Sequence, residues 1–292
     1  MPFKLFLKIV RWPNLLTIIL TQAILWWVSR PLGLSMPDRF FWVLCIGTVL
    51  IAAAGYIIND IYDLATDRIN CPHRVWLDTH LSRKTALRLY ISTNITALFL
   101  ALSSLNIALI LCFLGAMFLL LAYAKYFKKM LLTGNLIIAF LCALVVLQFW
   151  YFYRSSLSEF WNDLLLFYAL FAFYATLARE IVKDIEDRKG DEQTACKTLA
   201  IVYGNRMAEY AVIICTTILI GLLLFVLFAY LPYNVVSVQV YGLVALIGPL
   251  LWLTSYLLRC KSYCTYRQIS QFLKAYLMLG LFFLVLIRTV FF

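Results

Sequence analysis

Nine apolar runs, each close to the length of a membrane crossing, constrain this chain more than any other feature. They fall at 13–29, 40–58, 86–105, 107–124, 134–153, 163–180, 208–231, 239–258 and 272–291. About 20 apolar residues span the hydrocarbon as a helix. The expected fold class is therefore all-α: a multi-pass membrane protein, a bundle of nine transmembrane helices around a central cavity. The composition agrees, with 64 % hydrophobic and 13 % charged residues against about 25 % charged in soluble domains. The 292 residues suit one membrane domain, 1–292, and leave no room for a sizeable soluble one. Pro13 opens the first helix, where its missing N–H costs little. Pro31 and Pro232 mark loops, and Pro249 kinks the eighth helix. Lys4, Lys8 and Arg11 precede the first run without a small-residue cleavage site, so that helix is expected to be retained. The eight cysteines are scattered, mostly within apolar runs and without a Cys-x-x-Cys pair. They read as small buried hydrophobes and not as a zinc site.

The net charge of +11 invites a nucleic-acid reading, but its distribution is that of membrane topology. With the N-terminus inside, only Arg30, Arg39, Arg154 and Arg288 of the 25 Lys and Arg residues fall outside. The positive-inside rule then puts the N-terminus in the cytoplasm and the C-terminus outside a cell membrane. Of the 14 acidic residues, only Asp38, Glu159 and Asp163 are outside. The long segments, 59–85 and 178–207, are inside and read as loops, so the cavity and its chemistry face the cytoplasm. No nucleic acid and no obligate protein partner is implied; membrane lipids are.

Residues 59–67, Asn-Asp-Ile-Tyr-Asp-Leu-Ala-Thr-Asp, follow the second apolar run. On a helix, Asn59, Asp60, Asp63 and Asp67 fall on one stripe about 100° wide. The spacing Asp-x-x-Asp-x-x-x-Asp returns once, at Asp184, Asp187 and Asp191, after the sixth run. Carboxylates at the end of a membrane helix are costly unless a cation offsets them. A hard divalent metal held by oxygen is the fitting one. Basic residues stand beside both segments: Arg179 and Lys183 before the second, Arg68 and Arg74 after the first, Lys125, Lys128 and Lys129 after the fourth run, and Arg11 three residues before Asn14. Carboxylates for metal with Arg and Lys for oxyanions describe a diphosphate site. Beneath an apolar bundle, that diphosphate belongs to an isoprenyl chain. Loss of diphosphate from an allylic carbon needs a dry, aromatic-lined cavity, which the 22 Phe and 18 Tyr residues can supply. A cation or proton transporter predicts acids at mid-depth, whereas these cluster at one face. A CDP-alcohol transferase expects an Asp-Gly-x-x-Ala-Arg run, which is missing.

The pair Asn59-Asp60-x-x-Asp63-x-x-x-Asp67 and Asp184-x-x-Asp187-x-x-x-Asp191, with the nine expected helices, resembles the UbiA superfamily of intramembrane prenyltransferases over almost the whole chain. Arg11 with Asn14, Asn70 with Arg74, Tyr123 with Lys128, Gly134-Asn135 and Lys197-Thr198-Leu199 with Gly204 add to the resemblance. It implies Mg²⁺-dependent transfer of a prenyl group from an isoprenyl diphosphate to a lipophilic acceptor, with two ions. Asn59, Asp63, Asp187 and Asp191 would be metal ligands, with Asp60, Asp67 and Asp184 as ligands or their orienters. Lys128, Arg179 and Lys183 would meet the diphosphate; Asp63, Asp187, Lys183 and Lys128 would carry the chemistry. Arg11, Asn14, Asn70, Arg74 and Tyr123 would line the substrate site. The segment 179–191 with Thr198-Leu199 looks most like the geranylgeranylglyceryl-phosphate geranylgeranyltransferase branch; an aromatic acceptor is the alternative. The chain departs from the family at Cys71-Pro72-His73-Arg74-Val75, where Lys usually follows Asn. That departure bears on the acceptor and leaves the metal-binding reading intact.

Overall fold

A computed structural model describes residues 3–29, 38–70, 72, 75–231, 236–259 and 265–291. Thirteen helices follow one another: α1 (Phe3–Ile9), α2 (Trp12–Ser29), α3 (Arg39–Asn70), α4 (Arg83–Ser103), α5 (Ile107–Lys125), α6 (Thr133–Tyr153), α7 (Glu159–Glu186), α8 (Arg188–Gln193), α9 (Leu199–Val202), α10 (Asn205–Phe225), α11 (Val236–Tyr241), α12 (Gly248–Arg259) and α13 (Tyr266–Phe291). No β-strand forms among the described residues. Among the described residues, eight helices are long and apolar enough to cross a membrane, with α11 and α12 counted as one through the π-helical turn Gly242–Ile247. That turn lies directly before Pro249, whose missing N–H and ring displace the regular ladder. The ninth expected span, 13–29, folds as α2, 18 residues in which Pro13, Asn14 and Gln22 dilute the apolar run; it is not among the eight.

The helices begin where short polar side chains satisfy their first amides. Asp38 accepts from the Phe41 N–H at 2.8 Å, Asn106 from Leu109 at 3.1 Å and Ser158 from Trp161 at 3.4 Å, so α3, α5 and α7 start at capping residues. Asp38 also accepts from the Tyr153 hydroxyl at 2.7 Å. This bond ties the start of α3 to the end of α6, beside an aromatic cluster in which Trp26 meets Phe41 and Tyr153. Where helices must approach closely, the chain uses glycine. A Cβ on Gly47 would lie 2.2 Å from the Phe113 ring of α5.

The bundle closes on itself: α3 packs on α4 and α5, α6 on α7, α10 and α13 on α7, and α2 on α3, α6 and α13. Its two central helices are α3 and α7, 61 % and 67 % buried over their apolar stretches against 17 % for α4. These are the helices that carry the acidic segments. Both continue past the apolar runs that announced them, α3 to Asn70 and α7 to Glu186, for total lengths of 32 and 28 residues. Segment 178–207 is therefore largely helical, and in segment 59–85 residues 59–70 belong to α3 while the described residues 75–82 form a connection to α4. Asn, Asp and Thr are weak helix formers, so in α3 it is packing at the end of the bundle, and not propensity, that extends the helix beyond what hydropathy marks.

Candidate active site

The first acidic segment is the last three turns of α3. Asp60 accepts from the Arg11 guanidinium at 2.6 Å and from the Trp76 indole N–H at 2.6 Å. Arg11 reaches it from the bend between α1 and α2, where its backbone takes a left-handed φ of 51°. Such a conformation is uncommon for a residue with a Cβ. The guanidinium also lies over the Tyr56 ring, 5.1 Å from its centre. One turn on, Asp63, which is buried, is held by the Asn59 amide and by the Lys128 ammonium. The other end of the Asn59 amide, Oδ1, is buried without a partner. Asp67 has no side-chain partner among the described residues, yet stands within electrostatic reach of Asp63, Lys128 and Asp60.

The second segment turns a corner. α7 ends at Glu186, and Asp187 serves as its C-cap and as the start of α8. Asp184, still on α7, accepts from Asn135 at 2.8 Å. Asp191 lies on α8, buried, with Lys128, Asp187, Lys183 and Asp63 in electrostatic reach. Burial pushes its carboxyl up to about 6; Lys128 pulls against that shift and Asp187 adds to it. Burial works most strongly against the charge of Lys128, but Asp63, Tyr123 and Asp67 together outweigh it and the ammonium is held above its ordinary pKa. Lys128 therefore remains a cation with carboxylates from both segments around it.

Asn70 locks the two segments together. Its amide N–H donates to the Asp187 carbonyl at 2.9 Å, and its Oδ1 accepts from the Gly190 N–H at 2.9 Å. A Cβ on Gly190 would lie 2.5 Å from both amide atoms of Asn70, so only glycine allows the approach. Thr66 adds a hydroxyl contact to Thr194 at 3.1 Å. Beside these residues a pocket of about 450 Å³ is lined by Asp63, Thr66, Lys125, Lys128, Lys129 and Cys196, among others.

The remaining expected site residues are distributed as follows. Tyr123 is within electrostatic reach of Lys128, Glu180, Asp63 and Asp184, and the Gly134 backbone packs against its ring. Arg179 donates to Glu180 at 2.5 Å while its Nε is buried without a partner. Lys183 makes no ion pair among the described residues. Asn14 accepts from Lys274 at 2.6 Å. Asn70 has its amide committed to the second segment's backbone. Arg74 lies outside the described residues. Trp76, Glu180 and Lys274 carried no signal in the sequence: one sits in a connection without periodicity, and the others are single charges that topology alone accommodates.

Among the described residues no three Asp, Glu, His or Cys side chains are gathered closely enough to hold an ion by themselves. What the arrangement offers is oxygen donors from two helices facing fixed cations. Such a set has the chemistry to take up a polyanion together with a hard metal.

A model of the UbiA prenyltransferase family matches residues 15–287. The chain is 34 % identical over 221 residues to the digeranylgeranylglyceryl phosphate synthase of Saccharolobus solfataricus, an overlap of 75 % of this chain and 76 % of that one. Its fold matches a solved structure described for digeranylgeranylglyceryl phosphate synthase in membranes with a TM-score of 0.73, at 24 % identity over 97 % of each chain. It matches a UbiA homologue from Archaeoglobus fulgidus bound to DMAPP and Mg²⁺ with a TM-score of 0.67, at 15 % identity over 98 % of this chain and 99 % of that one. With the family pattern running through nearly all of an all-helical membrane bundle, the chain belongs to the UbiA prenyltransferase family and is a membrane prenyltransferase.

Proposed function

We propose that this prenyltransferase moves the prenyl group of an isoprenyl diphosphate onto the free hydroxyl of geranylgeranylglyceryl phosphate, with Mg²⁺ bound at the acidic end of the bundle. The Asn70 bridge carries the reading. It ties the end of α3 to the backbone at Asp187 and Gly190, so two oxygen-rich segments border one space with Lys128 between them. The family and the name of the Saccharolobus solfataricus relative support prenyl transfer to a glycerol phosphate. The Archaeoglobus fulgidus homologue was solved with a prenyl diphosphate and Mg²⁺.

The donors suit Mg²⁺. They are carboxylate and amide oxygens, and Asn59 Oδ1 is a buried oxygen that nothing in the protein satisfies. Mg²⁺ takes one or two carboxylates and completes its shell with phosphate oxygens and water, so an ungathered set fits. Asn59, Asp63 and Asp67 would hold one ion and Asp187 and Asp191 a second. Asp60 and Asp184 are engaged by Arg11, Trp76 and Asn135 and act as positioning groups. When bound, Mg²⁺ neutralises charge on the departing diphosphate. Lys128 and Lys183 hold its remaining oxygens, and Tyr123 walls the reacting carbon. The acceptor hydroxyl oxygen attacks C1 of the prenyl chain. The C1–O bond breaks, and the diphosphate leaves with the electron pair and takes up the hydroxyl proton. The chain forms one domain of nine spans including α2, in a cell membrane, with the N-terminus and the acidic end on the cytoplasmic side, where 21 of the 25 Lys and Arg residues (all but Arg30, Arg39, Arg154 and Arg288) fall.

The test is to incubate purified protein and Mg²⁺ with labelled geranylgeranyl diphosphate and a panel of acceptors: geranylgeranylglyceryl phosphate, dihydroxynaphthoate, hydroxybenzoate and heme. Label is expected in the glycerol phosphate ether alone, and lost in Asp63→Ala and in Asp187→Ala. Transfer to an aromatic acceptor instead, Mg²⁺-independent turnover, or full activity in either variant overturns the reading.

A further inference from the structure

Three cations from distant parts of the chain converge about one helical turn further from the acidic end than Lys128 and Lys183. Arg11 comes from the α1–α2 bend, Arg179 from α7 one turn before Lys183, and Lys274 from α13. Arg11 is offset by Asp60 at 2.6 Å and Arg179 by Glu180 at 2.5 Å. Lys274 donates to the neutral Asn14 Oδ1 at 2.6 Å, and among the described residues no carboxylate lies at ion-pair distance from it. Both guanidinium groups lie within electrostatic reach of its ammonium. Like charges held together repel unless an anion joins them. Unspent donors are present as well, namely the buried Arg179 Nε and the free N–H bonds of Lys274. Tyr56, beside Arg11 and Asn14, adds a hydroxyl.

We propose that Arg11, Arg179 and Lys274, with Asn14, form a second anion site that receives a phosphate monoester on the acceptor, distinct from the diphosphate tier at Lys128 and Lys183. The proposal rests on the prenyl-transfer reading above and names what selects the acceptor. On α3 the two tiers are marked by Asp60 and Asp63, and on α7 by Arg179 and Lys183. One turn of helix, about 5.4 Å, separates them. An acceptor anchored by its phosphate in one tier presents a nearby hydroxyl to the prenyl carbon leaving the other. An uncharged acceptor would leave the third cation uncompensated. Lys274 is then a specificity-determining residue, and Arg contributes to the same role through its fixed fork of donors.

The experiment uses the full chain in detergent free of phospholipid, so that a lipid headgroup cannot stand in for the acceptor. Initial rates are taken at saturating geranylgeranyl diphosphate against geranylgeranylglyceryl phosphate and against its dephosphorylated form. Lys274→Gln is expected to raise KM for the phosphorylated acceptor by about tenfold or more, as loss of a charge-assisted contact implies. KM for the diphosphate stays within about twofold, the slower reaction of the dephosphorylated acceptor is unmoved, and Lys274→Arg retains most of the wild-type KM. A parallel rise in both KM values, or no rise in either, overturns the proposal. Should the wild type act on neither acceptor, the reading of the function fails while the anion site stays testable. In that case glycerol 1-phosphate is titrated calorimetrically without Mg²⁺. Binding that Lys274→Gln abolishes supports the site, and equal heats in both proteins overturn it.

Discussion

In the first acidic segment the carboxylates ride one uninterrupted helix; in the second the same spacing turns a corner between Asp184 and Asp191. On α3, Asp60 and Asp63 are each gripped by a cation and a neutral donor. On the α7–α8 side, Asp184 is fixed by one amide, while Asp191 is buried with no side-chain hydrogen bond among the described residues. A repeated spacing is thus not a repeated geometry. Two carboxylates of the α3 half are already compensated, whereas the α7–α8 half holds a buried carboxylate with no hydrogen-bond donor among the described residues, so further compensation there must come from charge alone.

The largest expected effect breaks this asymmetry directly. Asp63→Asn and Asp191→Asn should each cut transfer by about 10²-fold or more, since on the proposed function each would remove a metal ligand and a charge that offsets the departing group. Their stabilities should move in opposite directions. Asp63→Asn leaves the Lys128 ammonium without its carboxylate in a mostly buried position, and breaking such a pair is destabilising. Asp191→Asn removes a buried charge that has no donor, and the metal-free protein should unfold no lower, or higher, than the parent. Thermal unfolding in detergent without Mg²⁺ reads both. A matched loss of stability in the two variants would make the halves equivalent.

The next effect tests what joins the halves. Gly190→Ala drives a Cβ to within 2.5 Å of the Asn70 amide, so Asn70 must swing away and surrender both of its bonds. A cost of about 1–3 kcal/mol is expected, together with a several-fold higher Mg²⁺ requirement for transfer. Asn70→Ala should reproduce both changes. The double variant should be less damaged than the sum of the singles, because the clash and the bridge involve the same two residues. Additive losses would show that the bridge does not couple the segments.

Much of this molecule is legible in its sequence because the bilayer is a demanding solvent. Apolar runs mark where chain meets lipid, and carboxylates in paired spacing stand out against that background. What hydropathy misses is tertiary packing. It ends α3 near residue 58 and α7 near 180, although α3 continues through the whole first acidic segment and α7 runs on to Glu186 before the corner into α8, where neighbours and not lipid hold them. Asn70 reads as a residue that lines the site, yet its amide is spent on the partner segment's backbone, a role visible only when Gly190 is seen against it. Lys274 hides inside the last apolar run as one more basic residue of the positive side. Trp76 hides in a connection whose composition predicts nothing.

Trp76 gives the smallest and most discriminating prediction. Its indole N–H donates to Asp60 Oδ2 while Arg11 takes Oδ1, so both oxygens of this carboxylate are already engaged by the protein itself. A carboxylate spent in this way orients Arg11 and has little capacity left for an ion. Trp76→Phe keeps the ring and deletes the donor, and should cost about 1 kcal/mol in thermal unfolding. Its effect on transfer should stay within about threefold, expressed in the acceptor KM because Arg11 is what Asp60 steadies. If the variant instead loses activity as steeply as Asp63→Asn, and does so through the Mg²⁺ requirement, Asp60 belongs with the metal ligands. The first segment would then present three ligating carboxylates where the hydrogen bonding leaves two.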